Sequence, residues 1–457
     1  MKTFWNRKGE QERLRAFLAA PGGGLAIVYG RRRCGKSTLL QRVLDRKAVY
    51  FQADQREAPL QMQSVLKALS PVLPDFDRAS FADWDDLLAA LYARTTKRLC
   101  VCLDEFPYLV QGAPELPSVL QRYVDRPDGQ IKWILCGSSQ RMMQGLVLDR
   151  TAPLYGRATQ IVKLEPLSAG WLTHALDLTP ADAVESYAVW GGIPRYWELA
   201  SEHKDTESAL KTLVWERFGV LHDEPQRLLL DDMRGAVQLY SVMSLIGAGC
   251  HRVSEIAGRL GKPMPSLMRP LAQLCELGYV RRDVPFGENP KNSKRSLYRL
   301  RDPFLRFYFK FVLPYESALA QGLVAEAQHA WRAARVHHVA ACWEELSRLS
   351  APWIWSGQRW GVASSWWGGA GGPVEVDVVA LSLDGKELLV GECKWAEKTA
   401  AVDVAKLASM LRAKAATIPD AKGRRIVPAC WLGGGATAHG HIECLFHPKE
   451  VMTALER

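Results

Sequence analysis

The feature that most limits what this chain can fold into is a strand–loop–helix join near its amino terminus. Leu25-Ala26-Ile27-Val28-Tyr29 is a short apolar run of strand formers. It leads into Gly30-Arg31-Arg32-Arg33-Cys34-Gly35-Lys36-Ser37, and helical spacing resumes from Ser37 to Leu44. A glycine loop between a buried strand and a helix start lets backbone N–H groups close around a polyphosphate, and the helix presents its positive end to the same anion. On this reading Gly30, Arg31, Arg32, Arg33, Cys34, Gly35, Lys36, Ser37 and Thr38 cradle ATP. Lys36 reaches the β and γ phosphates, and the Ser37 hydroxyl ligates Mg2+. The three arginines either add to the anion-attracting field or are simply solvated.

Two further apolar runs end in chemistry. Leu99-Cys100-Val101-Cys102-Leu103 stops at Asp104-Glu105, and Lys132-Trp133-Ile134-Leu135-Cys136 stops at Gly137-Ser138-Ser139. Continuous apolar strands alternating with helices predict a parallel sheet covered on both faces, with ligands at the carboxyl ends of its strands. Asp104 there holds magnesium through water, and Glu105 polarises the attacking water. Ser138 or Ser139 either senses the γ phosphate or merely ends a turn. Arg157 reads as an arginine finger offered to a neighbouring subunit, which would make the chain a homo-oligomer, or as a solvated surface arginine.

The chain has 457 residues, about three ordinary domains. Past Leu167 the pattern is helical, through Ala181 to Leu199 and Glu207 to Val220, broken at Gly191-Gly192-Ile193-Pro194. Ser254 to Leu260 and Pro265 to Leu277 form two helices about a Gly261-Lys262-Pro263 turn, and Gly278–Arg282 with Ser296–Leu300 bracket a polar loop. That order predicts a winged helix-turn-helix, with Lys262, Ser266 and Arg269 on the reading helix and Lys291, Lys294 and Arg295 on the wing. A net charge of +10 favours an anionic partner such as nucleic acid. No apolar span of about 20 residues is present, so no membrane partner is expected. The first seven residues lack the apolar run of a secretory signal, and the ten cysteines are scattered; the expected compartment is the cytoplasm.

Near the carboxyl end, Val374 to Leu383 and Glu387 to Trp395 predict a β-hairpin about Asp384-Gly385. Residues two apart on a strand share a face, so Glu392 and Lys394 point together while Cys393 turns into the core. Asp377 lies on the partner strand. Two carboxylates can hold a hard divalent ion, Mg2+ or Mn2+, which polarises a phosphate and lowers the pKa of bound water. Lys394 then orients that water, and Glu344, on a preceding helix, adds a third acid with Glu345 as its competitor. The bland alternative is an exposed hairpin with a cross-strand charge pair.

The ordered set Gly-Arg-Arg-Arg-x-Gly-Lys-Ser, Leu103-Asp104-Glu105-Phe106-Pro107-Tyr108, Cys136-Gly137-Ser138-Ser139 and Gly191-Gly192-Ile193-Pro194 resembles the archaeal-type ATPase family of AAA+/STAND-related proteins. Val376-Asp377 followed by Glu392-Cys393-Lys394-Trp395 is similar to the PD-(D/E)XK nuclease-fold domain often fused to them. The resemblance implies an α/β multidomain chain: a P-loop AAA+-like parallel-sheet core over residues 1–165, a helical lid over 166–235, a winged helix-turn-helix over 236–318 and a restriction-endonuclease-like α/β domain over 319–457. It assigns Lys36 and Ser37 to Walker A, Asp104 and Glu105 to Walker B, and Asp377, Glu392 and Lys394 to the nuclease motif. Cys34 departs from the small aliphatic residue usual in that family and puts a thiol in the loop. The implied function is an ATP-regulated, metal-dependent endonuclease acting on double-stranded DNA. The alternative is a regulatory ATPase whose winged helix and tail bind without cutting.

Overall fold

The computed structural model describes residues 4–147, 149–232, 236–357, 359–368 and 374–457. Its backbone divides into two compact units, Met1–Pro166 with Leu230–Arg234, and Leu167–Leu229 with Gly235–Arg457.

The first unit is built on five parallel strands: β1 Gly24–Gly30, β2 Val49–Gln52, β3 Leu99–Asp104, β4 Ile131–Gly137 and β5 Ala158–Leu164, in the order β2-β3-β4-β1-β5. The interior strands read as unbroken apolar runs because both faces are covered. Leu25, Ile27, Val101, Leu103, Trp133 and Leu135 join one core, while Ala26, Val28, Cys102, Ile134 and Cys136 are buried on the other face. The edge strands carry weaker signals. β2 has four residues, and β5 alternates exposed and covered positions over its first half. Because β4 lies between β1 and β3, three loops converge at one end of the sheet: the glycine loop after β1, Asp104-Glu105 after β3 and Ser138 after β4.

In the second unit the helices Pro180–Trp190, Pro194–Ala200 and Thr206–Leu210 pack with the carboxyl-terminal half of the chain. His338 Nε2 meets the Ala188 carbonyl at 2.9 Å, and the Trp331 indole donates to Glu207 at 3.0 Å. The helix expected to run to Val220 ends at Trp215 after a π turn over Lys211–Trp215. The chain then folds back so that the Leu221 N–H donates to the Leu213 carbonyl at 2.9 Å. A side chain on Gly219 would strike that Leu213 backbone.

Helices Val253–Leu260 and Pro265–Glu276 turn about Gly261 at φ +60°, and β6 Val280–Asp283 pairs antiparallel with β7 Leu297–Leu300. The loop joining those strands is docked on the tail. The Phe286 N–H donates to the Ser365 carbonyl at 2.9 Å, and Arg295 pairs with Glu288, donates to the Trp367 carbonyl at 2.9 Å and stacks on Trp366. Arg295, expected to contact phosphate from the wing, is therefore spent on an internal joint.

The tail is a mixed five-stranded sheet of β8 Ser364–Gly368, β9 Val374–Leu381, β10 Glu387–Asp403, β11 Arg425–His439 and β12 Cys444–Phe446, in the order β12-β11-β10-β9-β8. β8, β9 and β10 are antiparallel neighbours, and β10, β11 and β12 are parallel. The helix Val404–Ala415 carries the crossover from β10 to β11, its start capped by Asp403. The 26-residue helix Ala325–Ser350 packs against the sheet through buried Trp343, whose indole donates to the Trp431 carbonyl at 3.2 Å. Among the described residues no helix is long and apolar enough to cross a membrane.

Candidate functional site

The glycine loop owes its path to residues that tolerate left-handed backbone. Gly30 has φ +155° where a Cβ would collide with the Leu164 carbonyl, Gly35 has φ +90°, and Arg33 takes φ +67° between them. Gly35 caps the helix Lys36–Val43. Lys36 is buried, and its ammonium is folded onto the Gly30 carbonyl at 2.9 Å and the Arg31 carbonyl at 3.2 Å. Arg32 and Thr38 are exposed, and Arg31 is buried. Cys34 is 1% exposed, so the thiol expected to make the loop reactive is shielded inside it.

The Asp104 carboxylate, 1% exposed, accepts from the Ser37 hydroxyl at 2.8 Å and from the Glu105 N–H at 2.9 Å. A hydroxyl and a carboxylate at that separation, beside a buried lysine, are the hard oxygen donors that Mg2+ prefers, and the residues fit that ion. Glu105 sits at φ +52°, and its Oε2 accepts from the Ser138 N–H at 3.0 Å and the Ser138 hydroxyl at 2.9 Å. Ser138 thus reaches the acid at the end of the neighbouring strand.

Arg157 lies elsewhere. Strand register pairs Leu25 with Ala158 and Gly30 with Leu164, so Arg157 is at the amino end of β5, roughly 20 Å along the strands from the glycine loop. Its guanidinium grips Asp125 at 2.9 Å and donates to the Pro153 carbonyl at 2.9 Å. Within one chain it stands apart from the glycine loop, so a finger role would be played toward the loop of a neighbouring subunit.

In the tail, β9 and β10 bring the expected acids together. Gly391 pairs with Val378, and one step further Asp377 Oδ2 accepts from the Cys393 N–H at 2.8 Å. Burial, then the charge of Glu392, push the Asp377 carboxyl up to about 6. Glu392 accepts from Lys394 at 2.8 Å and from Lys414 at 3.0 Å. Burial pulls the Lys394 ammonium down, but Glu392 and Asp377 outweigh it and its pKa is raised. Glu344 faces the same place. Burial and then Asp377 push its carboxyl up to about 7, against Arg348 at 3.9 Å.

Glu345, its sequence competitor, is buried between Arg281 and Arg306, the latter at 2.8 Å. Despite the burial those two guanidiniums hold it down at about 2. It belongs to a structural ion cluster. Among the described residues no three His, Cys, Asp or Glu side chains are grouped to hold a metal. An ion at Asp377 and Glu392 would therefore complete its shell with water. The mutual repulsion that lifts Asp377 is what a divalent ion would relieve, so the donor set fits one.

Three partners have no signature in the sequence. Arg7, buried, donates to the Cys34 carbonyl at 3.4 Å and also to that of Glu165, tying the glycine loop to the end of β5. Tyr50 of β2 donates its phenol to Asp104, and Lys414 reaches Glu392 from the crossover helix. The nearest sequence signal for Tyr50 is the strand-forming run Val49-Tyr50-Phe51.

Comparison with known proteins agrees with the first unit's geometry. Residues 4–199 match a family described as an ATPase domain predominantly from Archaea, and residues 308–406 match archaeal and bacterial proteins of unknown function. The chain is 27% identical over 417 residues to the uncharacterized protein MJECL04 of Methanocaldococcus jannaschii, covering 86% of this chain and 87% of that one. A Walker-type ATPase of Pyrococcus abyssi shares the fold at TM-score 0.51 and 19% identity, over 67% of this chain and 96% of that one. The ORC2 protein of Aeropyrum pernix aligns at TM-score 0.46 and 17% identity, over 70% and 95%. The chain carries an archaeal-type P-loop ATPase domain.

Proposed function

We propose that this protein is an ATP-regulated, metal-dependent nuclease of double-stranded DNA, in which nucleotide held at Lys36, Ser37 and Asp104 governs cutting at Asp377, Glu392 and Lys394. The observation that carries the reading is the convergence of Asp377, Glu392, Lys394 and Glu344 on one patch of the tail sheet, with two carboxyls lifted to about 6 and about 7. The topology supports it. A helix precedes three antiparallel strands, and a second helix crosses to a parallel fourth, which sets the strands carrying Asp377 and Glu392 side by side in the sheet.

A divalent ion bound by the two acids would supply a polarised phosphate and a more acidic water. Lys394, its pKa raised, stays an ammonium at neutral pH; it orients the water and offsets developing negative charge without acting as a base. Glu344, near 7, is suited to accept a proton from that water. At the other site Glu105, released from Ser138, would polarise the water that attacks the γ phosphate.

A second reading draws on the two lysines that neutralise Glu392: a regulatory ATPase whose tail binds nucleic acid without cutting it. Incubation of the purified chain with plasmid, linear DNA or RNA and Mg2+ or Mn2+ separates them. Metal-dependent cutting of duplex DNA, absent in Asp377→Ala, is the expected result. ATP turnover with every nucleic acid left intact would refute the nuclease reading and leave the regulatory one.

A further inference from the structure

Tyr50 is not part of the glycine loop, yet it touches the acid on which that loop depends. β2 pairs with β3 in parallel, Gln52 opposite Asp104, and this register sets Tyr50 two residues short of the strand end. Its phenol donates to Asp104 Oδ2, the same oxygen that accepts from the Ser37 hydroxyl at 2.8 Å. The other oxygen, Oδ1, is taken by the Glu105 N–H at 2.9 Å. The Cys136 thiol of β4 also hydrogen-bonds this carboxylate. The carboxylate is thus held at both ends, and its plane cannot rotate about the side-chain bond without breaking hydrogen bonds.

These contacts are not equivalent once Mg2+ arrives. Were Ser37 to turn its oxygen toward a bound Mg2+, its proton would leave Oδ2 and free that lone pair. The Glu105 N–H is main chain and stays. Tyr50 would then still hold Oδ2 toward Ser37 from the neighbouring strand. The neutral phenol carries its own proton and donates it to Oδ2.

We infer that Tyr50 is a positioning residue for the nucleotide-bound magnesium ion, setting the orientation of Asp104 so that Oδ2 meets the ion's water without prior rearrangement. The inference rests on the ATP-site reading and adds to it a residue that no Walker motif contains. Tyr50 acts through Asp104 and need not touch nucleotide itself. Its loss weakens the response to metal and leaves the phosphate cradle intact.

The test is binding of a fluorescent ATP analogue to the full-length protein, titrated with MgCl2 and repeated in EDTA, for wild type and Tyr50→Phe. Phenylalanine keeps the ring and its packing and deletes only the hydroxyl. The half-saturating Mg2+ concentration rises about tenfold in Tyr50→Phe, the scale of one hydrogen bond to a charged group, while affinity in EDTA stays within about twofold. Unchanged or lowered half-saturation overturns the assignment. So does a parallel loss of affinity in EDTA, which would make Tyr50 a packing residue. A wild type that binds the analogue equally well with and without Mg2+ would instead contradict the magnesium site at Ser37 and Asp104, and this role with it.

Discussion

Replacing Asp377 by asparagine should make the tail sheet harder to unfold. The Asp377 carboxyl titrates near 6 against an ordinary value of 3.8, because it is buried and faces Glu392. The native state therefore holds a proton that the unfolded chain releases earlier, and stability falls as pH rises from about 4 through about 6. Above that window the whole penalty is present. A difference of about two units, at 1.36 kcal/mol each, is about 3 kcal/mol.

Asparagine carries no charge and can still accept from the Cys393 N–H, so Asp377→Asn recovers most of that amount at pH 8. At pH 5 the gain shrinks to about half, because the native carboxyl is then largely protonated. Urea denaturation in EDTA at the two pH values, followed by circular dichroism, measures both numbers. Saturating Mg2+ narrows the gap at pH 8 by stabilising only the wild type. A variant no more stable than wild type at pH 8, or a gain independent of pH, would refute the account of two acids forced together.

Glu345→Gln is expected to cost about 3–5 kcal/mol at pH 7, because it leaves Arg281 and Arg306 buried without their counter-charge. Glu345 titrates near 2, so its contribution is present above the usual carboxylate range and fades in acid; the deficit seen by denaturation should narrow below about pH 4. Gly30→Ala is expected to lower nucleotide affinity by about tenfold or more with the circular dichroism spectrum unchanged, since only the loop at φ +155° against Leu164 must shift. Arg157→Ala should leave ATP turnover within about threefold, because the side chain is paired with Asp125; a loss of about a thousandfold would point instead to a trans-acting finger.

What could be read in the sequence is what the strands impose locally. β1, β3 and β4 are covered on both faces, so each appears as an apolar run, and the acids and loops at their ends follow from the chain. The hairpin of β9 and β10 is legible for the same reason, and alternation alone puts Glu392 beside Lys394. β11 is hidden because Pro428 and Gly433-Gly434-Gly435 read as breakers. Those glycines are there to admit the Trp395 and Trp343 rings and the backbone of Ala396 and Lys398, contacts no local pattern encodes. Tyr50, Arg7 and Lys414 acquire their roles only when distant segments meet. Arg295 acquires its partners in the same way: it is basic and lies in a polar loop, but it is held by Glu288, Trp366 and Trp367.

Control of cutting by nucleotide is tested by the rate of metal-dependent nicking of supercoiled plasmid by the full-length protein with ATP, a non-hydrolysable analogue, ADP or no nucleotide. The expected rate changes with nucleotide state in the wild type, is indifferent to nucleotide in Lys36→Ala, and is nil in Asp377→Asn. Equal rates in all four conditions for the wild type would contradict control by ATP, and nicking that persists in Asp377→Asn would contradict the tail as its source.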